Sequence, residues 1–424
     1  MPHKAVTHCC PCKLESPPYL LYIMVRVQVK AGLLHLFSAL IACGLVAAIL
    51  LIGRAIAIDF EQSTLSSTAP EMFSLKNQGL AFQRAAASAP DVLPLYGSSE
   101  LLLAPVAADR AGNFFREAPT GFQVSPVGKP GATTLTILQK IGALGFALRG
   151  KKVAISLSPE WFFMLSPRSD WYEGNFSQLA ANEIAFGSSL DFELKRKIAA
   201  RMLQFPRTLH KDPLLEFALR RLASGSRLDR VLFCALWPIG KAQDALLQLQ
   251  DHFAALRYSF RNAKRAPNGH SEMLNWPELI AKVAEPKIAR QDENKEDATK
   301  LAKQTIPPWR EAGFVARVNA APEWIDFELL LRALTEIHAE PLLLSMPIAG
   351  QDFDQEGVSR TARETYYKKL RMLAHQYHFF LVDFEDHDED RAFLDRQQNH
   401  LTGKGWIFYN RVLDDFFHDR VPRT

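Results

Sequence analysis

Cysteine is scarce in this chain and nearly absent from its larger part. Of five, Cys9, Cys10 and Cys12 lie near the N-terminus, Cys43 sits inside an apolar run, and only Cys234 occurs after residue 57. A lone cysteine cannot close an intramolecular disulfide, so whatever folds beyond residue 57 must be held by its core. A charge bias is missing too. Lys and Arg number 50 against 46 Asp and Glu, a net charge of +4, and no basic run is interleaved with aromatics. That sets nucleic acid aside as a partner. No internal repeat is visible. What is present is ordinary for a globular protein with a full core: 48% hydrophobic and 23% charged residues in a chain of 424. That length admits two or three average domains, or one α/β domain with insertions.

One segment is not globular. Ala31 to Gly53 is 23 residues without Asp, Glu, Lys or Arg. As a helix it is about 34 Å long, enough to cross a hydrocarbon core of roughly 30 Å. His35 is its one strongly polar residue, close to the N-terminal end. Arg26 and Lys30 precede the run, with Lys4 and Lys13 further back, whereas only Arg54 follows before Asp59 and Glu61. The asymmetry predicts a cytoplasmic N-terminal tail (1–30), a transmembrane anchor (31–57) in the inner or cytoplasmic membrane, and a periplasmic or extracytoplasmic domain over 58–424. Ala55-Ile56-Ala57 resembles a signal-peptidase site, but the apolar run outlasts the usual 7–15-residue signal core, which favours a retained anchor. The cluster His8-Cys9-Cys10-Pro11-Cys12 superficially suggests a metal site. Met24, however, begins a more typical anchor, which makes residues 1–23 an over-extended start or a tail. The reading therefore assigns neither metal nor cofactor.

Four short apolar runs end in small or polar residues: Val92–Tyr96, Val153–Leu157, Pro341–Ser345 and Phe379–Val382. Bounded by turn signals and separated by helical patterns, they predict buried parallel strands, hence an α/β fold with helices flanking the sheet. Helical spacing recurs in Thr133–Leu148, Leu190–Leu203, Pro213–Leu222, Leu228–Leu256 and Phe327–His338. All but the first of these predict a helical insertion at about 170–335, with a polar surface excursion over 263–310. In open parallel sheets ligands bind beyond the carboxyl ends of the strands, so the site should gather the loops after them.

Ser98-Ser99-Glu100 follows the first strand, and Asn399-His400-Leu401 stands near the C-terminus. A serine after the first strand and a late histidine is the chain order of SGNH (GDSL-type) esterases. Serine is a poor nucleophile unless a base lies within hydrogen-bond reach. Ser99 is thus the candidate nucleophile, with Ser98 the alternative, and His400 the candidate base. The plain reading of the same serines is a helix N-cap. The two are compatible, because the capped N–H groups can also bind an oxyanion.

Leu93–Leu101 (LPLYGSSEL), Ala154–Phe162 (AISLSPEWF), Leu342–Gly350 (LLLSMPIAG), Val382–Asp390 (VDFEDHDED) and Asn399–Asn410 (NHLTGKGWIFYN) together resemble the DltD family, in order across nearly all of 58–424. That family is the D-alanyl-lipoteichoic acid biosynthesis protein, a membrane-anchored group within the SGNH superfamily. The resemblance implies acyl transfer or acyl-ester hydrolysis outside the cytoplasm, in the D-alanylation of envelope polymers. Implied partners are a membrane-bound O-acyltransferase (DltB-like) and a D-alanyl carrier protein or a D-alanylated glycopolymer. The family's histidine maps onto His400. Its Asp-x-x-His spacing is not kept, since Gln397 stands three residues before the histidine. The nearest carboxylate is Asp395, which either orients the imidazole from a longer loop or leaves a dyad. Asp383, Asp386 and His387 form a competing cluster whose simpler reading is a solvated acidic loop. Gly128 or Gly131 would supply an oxyanion amide. Glu160 and Trp161, in Ser158-Pro159-Glu160-Trp161, either line the pocket or belong to a Ser-capped turn with Trp161 in the core. A non-catalytic docking partner, or a periplasmic esterase of other specificity, remains the alternative.

Overall fold

In the computed structural model, described for residues 18–102, 107–166, 169–187, 189–262, 272–283, 309–395 and 400–420, the predicted runs become parallel strands. They are β1 (Val92–Gly97), β3 (Lys152–Leu157), β4 (Glu340–Ser345) and β5 (Phe380–Val382). A fifth strand, β2 (Gln123–Gly128), pairs with β1 from Val92↔Gln123 to Gly97↔Gly128. The sheet order is β2-β1-β3-β4-β5, parallel throughout. β2 carries Ser125 and Pro126, which broke the apolar signal. Proline cannot donate to a ladder, and it is tolerated here because β2 is an edge strand.

Alternating side chains divide the core between the two faces of the sheet. Tyr96, Val153, Ile155, Leu157 and Leu343 enter one cluster together with the helices Thr134–Leu144, Gln178–Phe186, Phe192–Met202, Pro213–Ser224, Glu323–Glu336 and Arg360–Gln376. Leu93, Leu95, Ala154, Leu342 and Leu344 enter the other with Ala111–Glu117 and the last helix, Gly403–Phe417. Among the described residues, the sequence between β3 and β4, the inserted lobe, is mainly helical. Buried polar pairs tie these helices to one another. Arg201 and Asp326 form an ion pair at 2.6 Å, both nearly inaccessible to water. Glu323 accepts the Thr134 amide at 2.6 Å, where the helix Thr134–Leu144 opens.

The chain divides into two units, Met1–Ile56 and Ala57–Thr424. A helix runs over Pro18–Ser63, and its part His35–Ser63 is long and apolar enough to cross a membrane. Side chains such as Leu36, Phe37, Leu45, Ile49 and Leu51 stand exposed. An apolar helix with no protein to cover it fits a lipid environment, the coarse form of the anchor expectation.

Candidate active site

The strand order reverses direction at β1: the chain leaves it for β2 on one side and returns through β3 on the other. The carboxyl ends of β1 and β3 therefore flank a switch point, where open sheets place their ligands. Ser98 and Ser99 follow β1, and Ser158-Pro159-Glu160-Trp161 follows β3.

The end of β1 is too crowded for side chains. A Cβ on Gly97 would lie 2.3 Å from Glu100 Oε1 and 2.9 Å from Leu101 Cγ, and one on Gly128 would lie 2.6 Å from the Gly97 carbonyl oxygen. The two serines then part ways. Ser98 is buried and, among the described residues, its hydroxyl has no hydrogen-bond partner. Its amide donates to Glu100 Oε1 at 2.8 Å. Ser99 is half-buried and opens a single turn of 3₁₀ helix, Ser99–Leu101. The expected N-cap is not formed, because Ser98 makes no side-chain cap and the Glu100 carboxylate takes the serine amide instead. Of the two serines, Ser99 is the one with appreciable solvent exposure.

Glu100 is the residue that sequence reasoning passed over. It is fully buried, and burial raises its carboxyl above the usual range, while the Ser98 amide, its own amide and the Ser156 hydroxyl pull the other way. Tyr409 of the last helix lies in its field, and burial pushes that phenol up as well. A carboxyl beneath the serine turn, among β1, β3 and the last helix, shapes the turn rather than reaching substrate. In sequence it read only as an acidic residue at a helix start.

His400 enters from the opposite end of the chain. Leu394 and Leu401 form an antiparallel bridge, and the Asp395 amide donates to the His400 carbonyl at 2.7 Å. The backbone thereby joins Asp395 to His400 across the intervening residues; Gln397 and Asn399 lie outside the described residues. Thr402 caps the last helix by accepting the Gly405 amide at 3.3 Å. That helix is fastened to the loop after Ser99: Asn410 Nδ2 donates to the Asp109 carbonyl at 2.8 Å, and a Cβ on Gly403 would lie 2.6 Å from Asp109 Oδ2. Leu101 and Leu401 share one core cluster. The serine turn and the histidine segment are thus packed into the same end of the fold.

Burial of His400 pulls its imidazole below the usual 6.5, opposed by the negative charges of Asp395 and Glu160. The ring is therefore neutral at pH 7, the form a base requires. Among the described residues its Nδ1 has no hydrogen-bond partner, so Asp395 reaches the imidazole through its field and the shared backbone rather than through a bond to that nitrogen. Ser99 and His400 are not hydrogen-bonded to each other; catalytic bonds of this kind often tighten only with substrate in place.

The remaining candidates divide. Glu160 is exposed on the turn Pro159–Phe163, in electrostatic reach of His400. Ser158 makes no side-chain cap. Trp161 is half-buried, meets Trp171 edge-on at 4.9 Å, and keeps its Nε1 buried without a hydrogen bond. Gly131 has φ +83°, and a Cβ there would lie 3.0 Å from the Trp171 ring, so glycine lets the indole close over this turn. The Gly128 amide is already committed to Asn77 Oδ1 at 2.8 Å. Of the amides opening the Ser99 turn, those of Ser98 and Glu100 are turned to the Glu100 carboxylate and that of Leu101 to the Ser98 carbonyl. Nothing in the sequence singled out Asn77. In the competing cluster, Asp383 is paired with Arg371 at 2.6 Å, and His387 stacks on Phe393 with ring centroids 4.4 Å apart. A cavity of about 520 Å³ opens at the other end of the sheet, lined by Lys152, Glu340, His375 and Phe416, far in topology from the serine turn.

Comparison with known proteins decides the family. The chain matches the DltD protein family over residues 69–418. It belongs to the DltD family. Protein DltD of Bacillus subtilis (strain 168) is 28% identical over 353 residues, covering 82% of this chain and 87% of the relative. Protein DltD of Staphylococcus aureus (strain NCTC 8325 / PS 47) is 24% identical over 332 residues, 76% and 79% of the two chains. Protein DltD of Lacticaseibacillus rhamnosus is 23% identical over 392 residues, 89% of each. The family match takes in both serines, the turn after β3 and His400, and it begins after the apolar run.

Proposed function

We propose that this chain is a single-pass membrane protein whose extracytoplasmic domain handles D-alanyl or similar small acyl esters in the D-alanylation of cell-envelope polymers, through an acyl-serine on Ser99. The observation that supports this most is the pairing of positions. A half-exposed serine opens the turn at the sheet's switch point, and a histidine held neutral by burial packs into the same end of the fold.

Ser99 Oγ attacks the carbonyl of an ester or thioester while His400 Nε2 takes the hydroxyl proton. The oxyanion meets the Ser99 amide, since the Ser98 and Glu100 amides serve the Glu100 carboxylate. Collapse of the adduct breaks the C–O or C–S bond, and His400 returns the proton to the leaving alcohol or thiol. An acceptor hydroxyl (or water, in hydrolysis) then attacks the acyl-serine and gives its proton to His400; Ser99 leaves and recovers it. Asp395 and Glu160 favour the transient imidazolium by charge. Donor and acceptor would come from a membrane-bound O-acyltransferase and from a D-alanyl carrier protein or glycopolymer.

One observation favours a second reading, a docking partner with a vestigial serine: among the described residues His400 Nδ1 is unpartnered, by Ser99 or any other group. Labelling the full chain with a serine-directed fluorophosphonate separates the two. Catalysis requires labelling that Ser99→Ala abolishes and His400→Ala slows; an unlabelled wild-type chain leaves the docking reading.

A further inference from the structure

The helix Arg227–Asn262 runs for 36 residues and turns two unlike faces to its surroundings. The inner face is tied down. Gly240 abuts the Phe186 ring, Asp251 accepts the Leu80 and Ala81 amides at 2.7 and 2.8 Å, and His252 Nδ1 meets the Glu61 carboxylate at 2.9 Å. The outer face leaves Leu228, Val231, Ile239, Leu246, Phe253 and Phe260 between 58% and 74% exposed. Ile239, Leu246, Phe253 and Phe260 recur every seven residues, so they form a stripe, and from Leu228 to Phe260 it extends about 48 Å. A continuous apolar surface of that length marks a contact site.

Two features identify what covers it. The exposed charges of this helix are all basic: Arg227, Arg230, Arg257 and Arg261. Its acids are withdrawn, Asp244 and Asp251 by burial and Asp229 by Arg221, Ser224 and Ser226. The C-terminal end of the helix is also fastened to the residues that directly continue the apolar run. Phe260 stacks on Phe60 at 4.4 Å, beside the His252–Glu61 pair. An apolar stripe bordered by Arg227, Arg257 and Arg261 (Arg230 turns away onto the Phe192 ring), fixed a few residues from where the chain leaves its membrane span, has the composition of an interfacial helix.

We propose that the outer face of Arg227–Asn262 seats in the headgroup layer of an anionic phospholipid bilayer, the one that holds the span; the proposal rests on the anchor reading. The arginines meet lipid phosphates while Leu246, Phe253 and Phe260 enter the acyl boundary. The Ser99 domain is then held on the membrane by two elements, the span and this helix.

The test uses the full chain with its native cysteines changed to serine and one new cysteine carrying a nitrobenzoxadiazole probe. The probe is placed at Leu246→Cys or Phe253→Cys on the stripe, Leu45→Cys in the span, or Arg360→Cys on a distant exposed helix. Each protein is reconstituted in phosphatidylglycerol vesicles with or without brominated acyl chains. Stripe probes should lose about half or more of their emission to bromine, as the span probe does and the Arg360→Cys probe does not. In phosphatidylcholine the loss at the stripe should shrink while that at Leu45→Cys persists. Stripe probes that behave like Arg360→Cys while Leu45→Cys is quenched overturn the proposal and leave the anchor standing. If Leu45→Cys escapes quenching as well, both fall. A blue shift at the stripe without quenching, growing with protein density, overturns it in favour of a second copy of the chain.

Discussion

Replacing Asp395 by asparagine removes the negative charge that bears on His400. The backbone link, Asp395 N–H to the His400 carbonyl at 2.7 Å, does not depend on the carboxylate. The side chain's effect on His400 is electrostatic: it opposes the burial that pulls the imidazole below 6.5. Without it the imidazolium is less favoured, so the acid limb of kcat/KM should move to still lower pH. Where an aspartate holds a catalytic histidine by a bond to Nδ1, the asparagine variant loses roughly 10⁴ in turnover. Here Nδ1 has no partner among the described residues. Only the field contribution is lost, and one pKa unit corresponds to about 1.4 kcal/mol, or about tenfold in rate. Asp395→Asn should therefore keep kcat/KM within about tenfold of wild type above pH 7, with the acid limb displaced downward. The assay is a pH profile of acyl-ester turnover by the full chain, alongside a melting curve. A loss near 10⁴ with an unmoved acid limb and an unchanged melting temperature would refute this reasoning and mean that Asp395 bonds the imidazole during turnover.

Ser98→Ala removes a buried, unpartnered hydroxyl, so stability should hold or rise slightly in a melting experiment, and activity should fall less than in Ser99→Ala. Gly97→Ala drives a Cβ to 2.3 Å from Glu100 Oε1, and circular dichroism should show it destabilised, with the Ser99 site lost even where the fold survives. Arg201→Met strands Asp326 in the core and should cost roughly 3–5 kcal/mol in denaturant unfolding, most of which Arg201→Met with Asp326→Leu should recover. Glu160→Gln takes a second negative charge from the surroundings of His400 and should also lower the acid limb of the rate profile, without a change in melting temperature.

Three of the four strands that sequence reveals are buried on both faces, where double burial demands an unbroken apolar run; the fourth, β5, was expected to be buried too but is a half-buried edge strand. β1, β3 and β4 meet that demand, with Leu93, Leu95, Val153, Ile155, Leu342 and Leu343 nearly free of solvent contact. β2 escapes because an edge strand tolerates Pro126 and because Ser125 interrupts its pattern. Thr133–Leu148 was legible as one helix, yet its last turn tightens to 3₁₀ at Gly145, whose φ is +50°. At the site, Ser99 and His400 announced themselves through turn chemistry and chain order. Glu100 and Asn77 did not, since their importance comes from partners far along the chain or across the fold: Tyr409 in one case, the Gly128 amide in the other. The spacing that placed Asp395 beside His400 was readable, but whether the carboxylate bonds the ring depends on side-chain placement, which spacing does not set. The lipid-facing stripe was hidden for a similar reason. Leu228–Leu256 reads as an ordinary amphipathic helix, and only the fold shows which apolar residues are left outside.

The most direct test of the central claim is to trap the acyl-enzyme. The full chain is mixed with a D-alanyl thioester or ester, quenched in acid, digested, and its peptides mapped by mass. The account predicts one D-alanyl adduct on the peptide containing Ser98 and Ser99, with fragment ions placing it on Ser99, absent in Ser99→Ala and slow to form in His400→Ala. An adduct on Ser98, or a wild-type chain that carries none while the ester is still consumed or transferred, would contradict it.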